Sequence, residues 1–215
     1  MRAALLTILL AVLVAAGCGG GDDSGEPSAS GSTECESVEA PEPRDPGSHE
    51  APTEPLPAGK TYALTFETSC GSFTVALDTQ LAPNTAPSLV ALAGHGYFDD
   101  TIIHRVVPGF VIQGGDPTQT GAGGPGYSTV DVPPSDTAYT RGVVAMAKSG
   151  VEPPGTAGSQ FFVMTADAPQ LTADYAIVGE VTDGMDTVDR IDALGVGDGP
   201  PSQPVVVETV TVTES

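Results

Sequence analysis

Ile103-His104-Arg105-Val106-Val107-Pro108-Gly109-Phe110-Val111-Ile112-Gln113-Gly114-Gly115-Asp116 lies in the middle of a 215-residue chain. It sets one cation, one aromatic ring and one amide into an apolar run. In an extended strand Arg105 and Val107 face the same side, because successive side chains alternate. Pro108-Gly109 bends the chain, which lets Phe110 and Gln113 converge on Arg105. Taken alone, the block leaves two readings open. One is a groove lined by a guanidinium, an aromatic wall and an amide. The other is a strand with a single solvated charge on an amphipathic stem.

Patterns on either side narrow the fold. Tyr62, Leu64 and Phe66 alternate with small or polar residues, and Phe73, Val75 and Leu77 do so after the turn Ser69-Cys70-Gly71-Ser72. This predicts a hairpin with one buried face. Residues 83–93 predict a helix, with Pro in its first turn, Gly94 at its end and Leu89, Leu92 and Ala93 as its apolar face. Short strands are expected at 102–107, 111–113, 143–147, 161–164, 176–181 and 205–213. Met185, Val188, Ile191 and Leu194 recur every three residues and predict a second helix over 185–194. Many short strands with two helices predict a mainly β fold, a closed antiparallel barrel capped by helices.

The N-terminus reads as an address. Met1-Arg2 precedes an uncharged apolar run over 3–16, too short for the roughly 20 residues that span a bilayer. Val14-Ala15-Ala16-Gly17-Cys18 resembles the bacterial lipobox, although Ala15 stands where a larger residue is commoner. The resemblance implies a signal peptide over 1–18 and lipidation at Cys18; an ordinary secretory signal with an incidental Cys is the alternative. Residues 19–60 are rich in Gly, Ser, Pro and Glu and carry no hydrophobic period, so a disordered tether is expected ahead of a domain over 61–215. The chain is then extracytoplasmic and touches a membrane only through its lipid. With Cys18 lipidated, Cys35 and Cys70 either form a disulfide between tether and first hairpin or stay as two thiols.

A net charge of −21 disfavours nucleic acid and anionic headgroups as partners. There is no CxxC pair, and His49, His95 and His104 have no zinc-like spacing, so no structural metal is expected. Gly121-Ala122-Gly123-Gly124 is not followed by the Lys-Ser/Thr of a phosphate loop. Ser159 lacks the setting of a hydrolase nucleophile. His104 could serve as a base, but a satisfied, partly buried histidine is the better reading.

The 103–116 block resembles the cyclophilin signature, and the likeness continues in order along 61–215. Gly121-Ala122-Gly123-Gly124 is similar to that family's glycine-rich loop. Met146-Ala147-Lys148 and Gly158-Ser159-Gln160-Phe161-Phe162 resemble its second signature, and Leu171 and Tyr175 its far pocket wall. The resemblance implies the cyclophilin form of the barrel, eight strands capped by two helices. It also implies peptidyl-prolyl cis-trans isomerase activity without a cofactor on proline-containing polypeptides; the sequence does not fix the oligomeric state, and a monomer is assumed. By position, Arg105 is the catalytic residue, with Phe110 and Gln113 beside it. Val111, Phe162 and Leu171 complete a proline pocket with Phe110. The main chain at Ala147 and Lys148 binds the residue before the proline, and Gln160 and Tyr175 finish the wall. Phe161 is expected in the core. Gln170 stands where the family often has Trp, which implies weak cyclosporin binding. Tyr175 stands for a His and Lys148 for an Asn, and 149–157 is longer than in many members. A proline-peptide-binding module or holdase chaperone with little turnover is the competing function.

Overall fold

The structure is a computed structural model and describes residues 34–215. Two strands, β1 (Tyr62–Thr68) and β2 (Gly71–Leu77), form the expected hairpin in register Phe66 to Phe73. The rings of that pair stack at 4.8 Å and anchor the main core, with Phe161 at 5.0 Å and Phe98 at 6.5 Å from Phe66. Helix α1 (Thr85–Gly94) buries Leu89, Leu92 and Ala93 on this core. Its N-terminal amides are met from outside the helix: the Asp131 carboxylate accepts from the backbone N–H of Thr85 at 2.7 Å. An anion at that end complements the helix dipole.

The remaining strands are β3 (Thr101–Ile102), β4 (Arg105–Val107), β5 (Val111–Gly114), β6 (Thr129–Val130), β7 (Val143–Met146), β8 (Thr156–Ala157), β9 (Phe161–Met164), β10 (Ile177–Asp183) and β11 (Val206–Glu214). Helix α2 (Met185–Asp192) follows β10 and buries Val188 and Ile191. One sheet of nine strands runs in the order β3-β11-β1-β2-β10-β7-β9-β5-β4, and β6 and β8 pair separately.

The barrel is therefore not the closed eight-stranded one expected. It is an open, strongly curled nine-stranded sheet. The cause is local. The run expected as a single strand over 102–107 breaks at Ile103-His104. The part before the break pairs with β11, and the part after it pairs with β5. The two ends of the sheet are thus joined by the chain itself instead of by a hydrogen-bonded ladder.

Residues 34–60 contain no helix or strand. Where a free tether is expected, the described part packs on the domain, and the compact unit extends N-terminally well beyond residue 61. Cys35 and Cys70 are joined by a disulfide. The signal segment and Cys18 lie outside the described residues.

Candidate active site

The hairpin β4–β5 brings the decisive block together. Arg105 lies directly opposite Gln113, and its Nη1 donates to Gln113 Oε1 at 3.0 Å. The bend between the strands uses Gly109 at φ 69°, a left-handed conformation that suits glycine. The Gly109 N–H donates to the Asp192 carboxylate, 3.0 and 3.2 Å from its two oxygens, and so ties the bend to the end of α2. Asp192 also accepts from the Thr165 hydroxyl at 2.9 Å.

Arg105, Phe110, Val111, Gln113, Ala147, Lys148, Phe162, Leu171 and Tyr175 line one cavity of about 170 Å³. Strand pairing explains the convergence. Gln113 faces Phe162 across β5–β9, and Ala145 faces Phe162 across β9–β7. Phe161 points the other way into the main core, while Phe162 belongs to a second apolar cluster under the cavity. The Tyr175 ring meets Phe162 edge-on at 5.5 Å.

Gln160 lies in the neighbouring space. It lines a wider cavity of about 530 Å³, together with residues 121–125, Tyr127 and Ser128. A relay links the two spaces. Gln113 Nε2 donates to Gln160 Oε1 at 3.1 Å, and Gln160 Nε2 donates to the Gly123 carbonyl at 3.0 Å. Since Gln113 Oε1 accepts from Arg105, both amides have one orientation only. Lys148 borders both cavities. Its ammonium bonds the Glu152 carbonyl at 3.1 Å and lies 5.5 Å from the Tyr175 ring centre. The Ala147 N–H already donates to the Gln160 carbonyl, so its carbonyl is the group left for a ligand. The long 149–157 stretch contributes β8 and hence the small sheet beside the wide cavity. Gln170 is exposed beside Leu171.

Three features escape sequence reading. Asp198, in the loop before β11, grips the Arg105 guanidinium with both oxygens, at 2.5 Å from Nε and 3.1 Å from Nη2. That hydrogen bond holds the Asp198 carboxyl below the usual carboxylate range. Nothing in the sequence places Asp198 93 residues away from Arg105, so no local signal could find it. Tyr139 is buried, and its hydroxyl donates to the Tyr175 carbonyl at 2.7 Å and accepts from the Tyr175 N–H at 3.0 Å. It thereby fixes the far wall from behind. His104 is buried, its ring nitrogens have no direct partner of good hydrogen-bond geometry, and the nearby Gln160 side chain favours its charged form. Burial lowers its pKa below the ordinary value, and the charge of Asp116 works in the opposite sense. His104 does not line the 170 Å³ cavity; its ring lies instead close to Gly121 of the glycine-rich loop.

The model of the family described as "Cyclophilin type peptidyl-prolyl cis-trans isomerase/CLD" matches residues 63–212. A peptidyl-prolyl cis-trans isomerase-like 1 of Emericella nidulans is 43% identical over 60% of this chain and 80% of its own. A probable peptidyl-prolyl cis-trans isomerase A of Mycobacterium leprae is 36% identical over 69% of this chain and 91% of its own. A solved cyclophilin-type isomerase of Cryptosporidium parvum superposes with a TM-score of 0.66 at 31% identity, covering 71% of this chain and 98% of that one. It has also been solved in the presence of the dipeptide Ala-Pro, and that structure superposes at 0.64. Family, relatives and fold agree with an arginine-edged apolar cavity, and the chain belongs to the cyclophilin-type peptidyl-prolyl cis-trans isomerases.

Proposed function

We propose that this enzyme isomerises X-Pro bonds in the 170 Å³ cavity, with Arg105 as the catalytic residue. The observation that carries the reading is a guanidinium held at an apolar pocket by Gln113 on one side and Asp198 on the other. Amide resonance sets a rotational barrier of about 18–20 kcal/mol. As the amide twists, the prolyl nitrogen regains a lone pair, and a guanidinium N–H can stabilise it. The interaction is strongest in the twisted state, so it lowers the barrier and does not merely bind substrate. Phe110, Val111, Phe162 and Leu171 seat the proline ring away from water, where the interaction is less screened. The carbonyl of Ala147 and the main chain at Lys148 hold the preceding residue. Lowering the barrier by about 7 kcal/mol gives roughly 10⁵-fold acceleration. No bond breaks and no proton is transferred, so His104 has no role in the reaction.

The clients are proline-containing polypeptides that fold outside the cytoplasm, and the chain is tethered to a bacterial membrane through a lipid on Cys18. The lipobox-like residues 14–18 support this location. Loss of membrane association in Cys18→Ala is expected, and unchanged fractionation would refute the anchor. Isomerisation of an Ala-Pro peptide, followed by NMR exchange without a coupling protease, tests the chemistry. Arg105→Ala should lower kcat/KM by about 10²-fold or more while peptide binding persists. Undiminished turnover in the variant removes Arg105 from the mechanism. Binding without turnover in the wild type leaves the binding-module reading.

A further inference from the structure

Residues 34–49 run along the back of the loop that walls the 530 Å³ cavity, and they grip it at three places. The Arg44 N–H donates to the Pro117 carbonyl at 3.0 Å, the Gln119 side chain to the Pro41 carbonyl at 2.7 Å, and the His49 N–H to the Pro125 carbonyl at 3.1 Å. The loop between these points has no helix or strand of its own. On its inner side it bonds Gln160, and through Gln160 and Gln113 it connects to Arg105.

The strap is itself fixed to the rigid domain. Arg44 Nη2 donates to the carbonyls of Gly96, Tyr97 and Asp99, at 3.3, 2.5 and 2.9 Å. The His49 ring packs edge-on against Tyr97 at 5.2 Å. The Cys35–Cys70 disulfide closes the far end against the turn of the first hairpin, with a sequence separation of 35 residues. A glycine-rich loop has many accessible backbone states. Three outward bonds to an anchored strap, added to the bonds the loop makes to Asp116, reduce them further before any substrate arrives.

We infer that residues 34–49 are a positioning element for substrate selection. They hold loop 117–126 so that the wide cavity is preformed for bulky side chains flanking the proline. The inference rests on the isomerase reading above. The strap touches neither Arg105 nor the proline pocket, so its loss should weaken binding of extended peptides and leave chemistry on a minimal substrate intact.

The test uses the full chain and two peptides, a short Ala-Pro peptide and one with large residues on both sides of the proline. The variants are Arg44→Ala, Cys35→Ala/Cys70→Ala and Gln119→Asn. The last shortens the side chain that reaches Pro41, and Asn tolerates the positive φ of 60° found at Gln119. Expected is a KM for the bulky peptide raised about tenfold at unchanged kcat, with the Ala-Pro rate within about twofold of wild type. Amide exchange at Gly121 and Gly123 should accelerate in parallel. Equal loss on both peptides would show a purely structural strap and overturn the inference, as would an unchanged KM in Gln119→Asn. Absence of wild-type turnover on Ala-Pro would instead defeat the isomerase reading. If the first two variants do not fold, Gln119→Asn decides the matter alone, because it leaves the disulfide and Arg44 in place.

Discussion

A guanidinium carries five N–H groups, and the contacts of Arg105 engage three of them. Nε and one Nη2 proton go to Asp198, and one Nη1 proton goes to Gln113. Two remain to face a substrate. The planar fork is thus fixed about its long axis by partners on two different elements, which a lysine could not match. Asp198 is largely exposed, 65% at its side chain, so the pair contributes little to stability. Its value is in orientation. Asp198→Asn should lower kcat by about threefold to tenfold with KM nearly unchanged, measured on a short peptide. A fall in KM affinity at constant kcat would point to substrate contact instead. The pH sign follows from the depressed Asp198 pKa. The carboxylate is charged above its folded pKa, and the pair is lost only as pH falls through that value. Wild-type activity should therefore be flat on this account between about pH 6 and pH 8.

At the scale of elements, the loop after β5 depends on one buried acid. Asp116 is fully buried and accepts from the N–H groups of Thr118, Gly121 and Gly123, at 2.8, 2.7 and 3.1 Å, and from the Thr118 hydroxyl at 2.7 Å. Burial alone would raise its pKa. The Thr118 hydroxyl and the Gly123, Thr118 and Gly121 amides outweigh it, and the net shift is downward. With a folded pKa below the unfolded value of about 3.9, its contribution is fully present above that pH and fades as pH falls through the folded value. Asp116→Asn turns one acceptor toward these amides into a donor. It should cost about 2–4 kcal/mol in urea denaturation at neutral pH, with the gap to wild type narrowing in strong acid. A gap independent of pH would mean that the carboxylate charge is not what holds the loop. The same elements show the limit of periodicity. Phe161–Met164 and the 143–147 run were legible as strands because apolar residues are continuous there. The pairs Thr129–Val130 and Thr156–Ala157 were not, since two residues carry no period.

For the whole molecule, charge is the dominant long-range property. Each described cation is engaged locally. Lys60 pairs with Glu214, Arg141 with Asp189 and Arg190 with Asp186, while Arg44 and Lys148 bond carbonyls. The excess acid gives the molecule a negative long-range field. Proline peptides flanked by Lys should show higher kcat/KM than the same peptides flanked by Glu. The ratio should shrink as salt rises from about 20 mM to about 500 mM, because the Debye length falls several-fold. A ratio that salt does not change would place the preference in direct contacts.

The block at 103–116 determined the family, and with it the proline pocket. Arg105, Phe110, Val111 and Gln113 lie within nine residues, where strand alternation and one bend suffice to bring them together. Phe162, Leu171 and Tyr175 also reached the expected cavity. Hydrophobic alternation determined the first hairpin, and helical spacing with Pro and Gly at the ends determined the two helices, because burying one face of each is a local requirement. Tertiary structure alone decided that the sheet stays open, since this depends on which neighbours the two halves of 102–107 find. It alone decided that Asp198 grips Arg105, that Tyr139 props Tyr175, and that residues 34–49 strap the loop. Each is a polar contact made across a large sequence separation, and such contacts leave no period in the chain that makes them.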